Sequence, residues 1–145
     1  PAARERQPNN QTIPTGDSCT AIPFNTEVFD QGGFWLAGAP TLFTIPQDGL
    51  YLFGGNGIWA ANATGTRELA IRLDGTTVIQ TCDQPVDTVN GATATPGAHI
   101  TYQYRLGVGQ TLELLARQES GGALNMLAEA DDSIVFWIVY LGKTI

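Results

Sequence analysis

The side chains able to do acid–base, nucleophilic or metal chemistry in this chain are few and far apart. His99 is the single histidine, and neither a Gly-x-Ser-x-Gly elbow nor a metalloprotease helix accompanies it, so nothing builds a Ser-His-Asp relay around it. It reads as a strand-end residue. Asp30, Asp48, Asp83, Asp87, Asp131 and Asp132 are the carboxylates to test as a catalytic pair or a calcium cluster. Asp131-Asp132 stand directly before an apolar run, where a loop can offer oxygens to calcium, but the alternating Asp-x-Asp-x-Asp-Gly spacing is missing and a solvated turn is the other reading. Cys19 and Cys82 lack CxxC spacing, which argues against zinc; one disulfide closing a long loop and two unrelated thiols both remain open. Asn62-Ala63-Thr64 and Asn10-Gln11-Thr12 fit a glycosylation sequon, yet Asn62 and Gly65 read better as shaping a turn. The expectation is a protein that is not an enzyme and holds no cofactor or metal.

The elements that would carry these residues are strands. Seventeen glycines, eight prolines and only 14% charged residues in 145 suit many short strands joined by tight turns. From Thr20 onward apolar stretches alternate with Gly, Pro, Asn and Asp, predicting strands near 20–29, 34–36, 41–46, 49–60, 66–73, 76–82, 98–106, 110–118 and 133–141. Leu69, Ile71 and Leu73 alternate with Ala70 and Arg72 ahead of Asp74-Gly75, a pair suited to a type I′ hairpin turn. Residues 83–97 read as a long loop. In 133–141, Ile134, Phe136, Ile138 and Tyr140 share one face while Val135, Trp137, Val139 and Leu141 share the other, so both faces need covering. Ile100, Tyr102, Tyr104 and Leu106 form one apolar face of 98–106. Residues 1–19, with three prolines and little that is apolar, read as an extended N-terminal arm ahead of a domain over 20–145.

A net charge of −7 and a pI near 4.4 argue against nucleic acid, which needs clustered Lys and Arg to displace counterions from phosphates. No run approaches the roughly 20 apolar residues that span a bilayer, and the start lacks a basic-then-apolar signal pattern. Pro1 reads as a start after removal of an initiator Met, hence a product made in the cytoplasm.

Phe24, Asp30, Trp35, Phe43 and Gly49-Leu50-Tyr51-Leu52-Phe53 together resemble the aromatic signature of the complement globular heads and the tumour-necrosis-factor type of fold. The interval from Trp35 to Phe43 is one residue longer than in that signature, and Gly55 stands where Phe or Tyr is usual. Ser133–Leu141 resembles the family's closing strand. The resemblance implies an all-β, two-sheet antiparallel jelly-roll sandwich of about ten strands that assembles as a homotrimer. Trp59–Gly65, Arg67, Ile71–Thr77 and Gln118–Asn125 resemble jelly-roll proteins of tailed bacteriophages, which implies a virion role.

These readings converge on a trimeric capsid decoration protein, made in the host cytoplasm and placed on the virion surface. Its partners would be itself and a major capsid or other virion protein, with neither nucleic acid nor membrane involved. Tyr102, Tyr104, Phe136, Trp137, Ile138 and Tyr140 are the expected trimer interface. Arg4, Arg6, Pro8, Ile13 and Pro14 are the expected contacts of the arm. The alternative is a receptor-binding or adhesion head on a phage tail or fibre, with loops 83–97 and 119–130 meeting a cell-surface receptor.

Overall fold

A computed structural model describes residues 1–85, 97–129 and 133–143, without the side chains of 82–85. All regular structure among them is β. The chain forms β1 (Ala2–Arg6), β2 (Gln11–Ile13), β3 (Thr20–Ala21), β4 (Thr26–Asp30), β5 (Phe43–Thr44) and β6 (Gly49–Ile58). It continues with β7 (Thr66–Leu73), β8 (Thr77–Pro85), β9 (Gly97–Leu106), β10 (Thr111–Gln118), β11 (Leu124–Met126) and β12 (Val135–Gly142). One five-stranded sheet runs β4-β1-β12-β6-β9; the other runs β3-β10-β7-β8 with β5 also on β10, and β11-β2 form a small ribbon. Every strand pairing is antiparallel. The result is a two-sheet antiparallel jelly roll.

The N-terminal arm does not exist as a separate segment. β1 lies inside the first sheet, pairing β12 through Ala3↔Ile138 and Arg4↔Trp137 and β4 through Arg6↔Thr26. Ile13 is fully buried on β2, and the linker beyond it is tied down by Gly16 N–H donating to Gln118 O at 3.0 Å. Composition misled here because a strand inserted between two others is recruited by its backbone ladder, which needs no large apolar side chains. Ala3 suffices to fill its inward slot. The boundary at 19/20 therefore disappears, and 1–13 belong to the jelly roll.

Tyr51 and Phe53 point between the sheets from β6, and Phe43 meets them from β5 on the opposite sheet. Phe43 lies 4.5 Å from Phe136 and 5.7 Å from Phe24, with Phe53 6.5 Å from Phe136. Asp30 builds the turn ahead of Trp35: its Oδ1 accepts from the N–H groups of Gly32 and Gly33 and its Oδ2 from that of Trp35. The aromatic signature is thus packing and turn chemistry throughout. Gly55 departs from it because Leu114 reaches across from β10, and a Cβ on Gly55 would lie 2.9 Å from the Leu114 Cδ2.

The hairpin between β7 and β8 turns as expected, with φ of 51° at Asp74 and 68° at Gly75 and Thr76 N–H donating to Leu73 O at 3.1 Å. The predicted strand 20–29 is broken into β3 and β4 around Pro23, and 34–36 contributes only the Trp35↔Phe43 bridge. β8 extends to Pro85, so the loop expected over 83–97 starts later; its residues 86–96 lie outside those described.

Candidate functional site

The two outer faces of the sandwich differ in how far their apolar residues are covered. On the β10 sheet, Leu115 and Ala70 are paired across β10 and β7 and are both buried, and the same face carries Glu113↔Arg72 and Arg117↔Glu68. Arg72 Nη2 lies 2.6 Å from Glu113 Oε2, and Arg117 Nη2 lies 3.0 Å from Glu68 Oε2, with Glu119 also 3.2 Å from Arg117. Ion pairs flank the apolar centre, and this face is finished by its own side chains.

On the outward side of the β12 sheet, Arg4 and Arg6 of β1 and Gln103 and Arg105 of β9 flank an apolar middle. Trp137↔Gly54 and Val139↔Leu52 place these residues on that outward side. Gly54 leaves room for the indole: a Cβ there would lie 2.8 Å from Trp137 Cζ2 and would collide with the Ile100 carbonyl. Val139 and Leu141 remain 37% and 49% exposed. β9 ends the sheet, and on its inward phase, opposite Phe53 and Tyr51, Tyr102 and Tyr104 stack at the edge with ring centroids 5.9 Å apart at 26°. Tyr104 is 36% exposed.

The structure divides the residues expected at a trimer interface. Phe136 and Ile138 are fully buried within one chain, facing Gly55 and Phe53 from the inward side of β12, and are core residues unavailable to a second copy. Tyr140 is half-buried against Tyr51, 5.2 Å away. Trp137, Tyr102 and Tyr104 keep exposed surface. Among the arm residues, Arg4 and Arg6 project from the outward side of β1 beside Trp137 and Val135, Ile13 is core, and Pro8 and Pro14 are exposed.

Trp59–Gly65, Arg67 and Gln118–Asn125 gather at one end of the sandwich, and Ile71–Thr77 form the β7–β8 hairpin at the other. Arg67 is fully buried, and its guanidinium donates to Thr64 O (2.9 Å), Thr66 O (3.1 Å) and Asn62 O (3.0 Å). Burial pulls its pKa down. Gln118 ties the same end together, donating to Ile13 O and Gly122 O and accepting from Ser120 N–H. Gly65, at φ +76°, passes so close to the Glu119 backbone that a Cβ would collide. Arg67, Gln118 and Gly65 thus lock a loop end.

Sequence reading missed Glu5. It sits on the inward side of β1 between Ala3 and Gln7, fully buried, and neither carboxylate oxygen has a hydrogen-bond partner. Burial first, then Glu27 and Asp30, push its pKa up to about 8. Alternation was the available signal, since Glu5 occupies the inward phase of a strand once Ala2–Arg6 is read as one.

His99 is exposed within β9 opposite Asn56, and Cys19 is an exposed free thiol 4.0 Å from Glu68 Oε1. Among the described residues no three His, Cys, Asp or Glu side chains gather to hold a metal ion. Asp87, Asp131 and Asp132 lie outside those residues, as does the Cys82 side chain.

No protein-family model matches the sequence. Comparison with curated proteins likewise gives no match. Solved structures do match in fold. The globular domain of zebrafish complement 1qA superposes with a TM-score of 0.67 at 13% identity over 99% of each chain. Murine APRIL gives 0.70 at 12% identity over 97% of this chain and 98% of that one. The Eiger TNF of S. frugiperda gives 0.65 at 12% identity over 99% and 94%. At such identities the likeness is one of fold: this chain has the jelly roll shared by complement heads and tumour-necrosis-factor-like proteins.

Proposed function

We propose that the chain is a non-catalytic homotrimeric head that acts through its surfaces. The observation that carries this reading is the pairing of two unlike apolar patches, the Trp137 face of the β12 sheet and the Tyr102–Tyr104 edge of β9. A threefold ring is built from one head-to-tail contact repeated, so each copy must offer two different complementary patches. Face against edge meets that requirement, whereas a twofold dimer would need only one self-complementary patch. Sedimentation at micromolar concentration tests it: a single trimeric species is expected, and a monomer would overturn it.

The trimer's place is proposed to be the surface of a bacteriophage head, where it serves as a decoration protein contacting a capsid subunit. Support comes from the resemblance of Trp59–Gly65 and Gln118–Asn125 to phage jelly rolls. With residues 1–13 woven into the fold, attachment falls to the surface of the folded head rather than to an arm. Mass spectrometry of purified, fractionated particles tests the location: the chain should travel with heads. Recovery with tails, together with binding of the isolated trimer to host cells, would replace decoration by the receptor-binding reading.

A further inference from the structure

A carboxylic acid enclosed in a sandwich without one hydrogen-bond partner is costly in its charged form and tolerable in its neutral form. Glu5 is in that position, with no exposed surface and both oxygens unpartnered. The groups facing it offer no relief. β4 places Glu27 directly across from Glu5 and Asp30 two pairs further along, beside Ala3. β12 places Phe136 across from it, followed by Ile138. On its own strand, Ala3 and Gln7 share its side, and the Gln7 amide donates elsewhere, to Pro23 O at 2.8 Å. Arg4 and Arg6 occupy the opposite phase of β1. Asp131 and Asp132 lie outside the described residues.

The fold also supplies a weak place to yield. β4 is the outermost strand of its sheet, and its register with β1 shifts between Arg4 and Glu5, next to the Glu5↔Glu27 pair. Lifting β4 would let water reach Glu5 while leaving the β12-β6-β9 ladder intact. We propose that Glu5 is a proton-linked latch on this edge: neutral, it keeps β4 seated on β1, and ionised, it releases β4. The latch is independent of what covers the outer face of the sheet.

The sign follows from linkage. Glu5 holds its proton in the folded chain up to about pH 8, against an ordinary value of 4.5. The stability contributed by the neutral acid is therefore complete below pH 4.5. It declines as pH rises, by about tenfold in the folded-to-unfolded ratio per unit, until pH 8, and is lost above.

The test compares the full-length protein with Glu5→Gln, and with Glu5→Met as a second neutral variant of similar length. Hydrogen-exchange protection is read across pH 6–9, together with a carboxyl NMR titration of Glu5 in the parent. The expected result is a Glu5 midpoint near 8 and protection of the β4 amides that falls about tenfold per unit up to pH 8 and levels off above it in the parent, but stays level throughout in the neutral variants. A midpoint near 4.5, an equal fall in the variants, or a loss of protection spread evenly over β12, β6 and β9 would overturn the latch.

Discussion

Arg67 shows how far one side chain can organise a loop. Its guanidinium lies in the core with three backbone carbonyls as acceptors, and its Nε, like the Trp59 indole N–H, is buried without a partner. Backbone carbonyls disperse the charge but do not neutralise it, so the residue is retained for the loop it shapes rather than for an ion pair. Arg67→Ala would strand those carbonyls and leave a void, at a cost on the order of 3 kcal/mol or more. Urea unfolding should show this as a lower midpoint. Glycines give a sharper contrast. Gly65 and Gly75 both have positive φ, but a Cβ at Gly75 meets nothing within 4 Å, whereas one at Gly65 meets the Glu119 backbone. Gly75→Ala should cost about 1–2 kcal/mol, the ordinary penalty of a left-handed residue. Gly65→Ala should cost clearly more, and equal losses in thermal or urea unfolding would contradict the close approach.

Whole elements were legible where side chains alone specify them. Alternation in 66–73 and the Asp74-Gly75 turn located β7 and its hairpin, since both signals are local. The opposite phases of Phe136/Ile138 and Trp137/Val139 were readable for the same reason, although sequence did not say which phase the core takes. β1 was illegible because what holds it is the ladder to β12 and β4, and those partners are remote in sequence. β11 was missed likewise, being held by β2 and by the fit of Met126 over Gly57. The candidate surfaces were half legible: Tyr102, Tyr104 and Trp137 could be picked as apolar, but Glu5 could be seen only once β1 was known to be a strand. An element-scale consequence is that removing residues 1–6 takes out an inner strand, exposing the edges of both β12 and β4. Such a truncation should lose its cooperative unfolding transition or aggregate. Circular dichroism with thermal melting would check this, and a sharp, parent-like transition would restore the idea of a dispensable arm.

At the scale of the molecule, geometry separates a ring from a pair. If the Trp137 face of one copy receives the Tyr102–Tyr104 edge of the next, Trp137→Asp breaks the face and Tyr104→Asp breaks the edge. Both residues are partly exposed, so each variant should fold, as near-ultraviolet circular dichroism would show. Alone, neither can form a productive contact, because every contact needs one intact face and one intact edge. Sedimentation of each should give monomers, since a buried unpaired carboxylate in such an interface costs several kcal/mol. Mixed in equal amounts, the two become complementary: the intact edge of the Trp137→Asp chain can meet the intact face of the Tyr104→Asp chain. That single contact leaves a broken face and a broken edge at the two ends, so growth stops at a one-to-one heterodimer. A twofold, self-complementary contact behaves differently, because variants damaged within one shared patch cannot repair each other by mixing. Appearance of the heterodimer only in the mixture supports the head-to-tail ring, and persistence of monomers there would rule out face-to-edge assembly even if the parent sediments as a trimer.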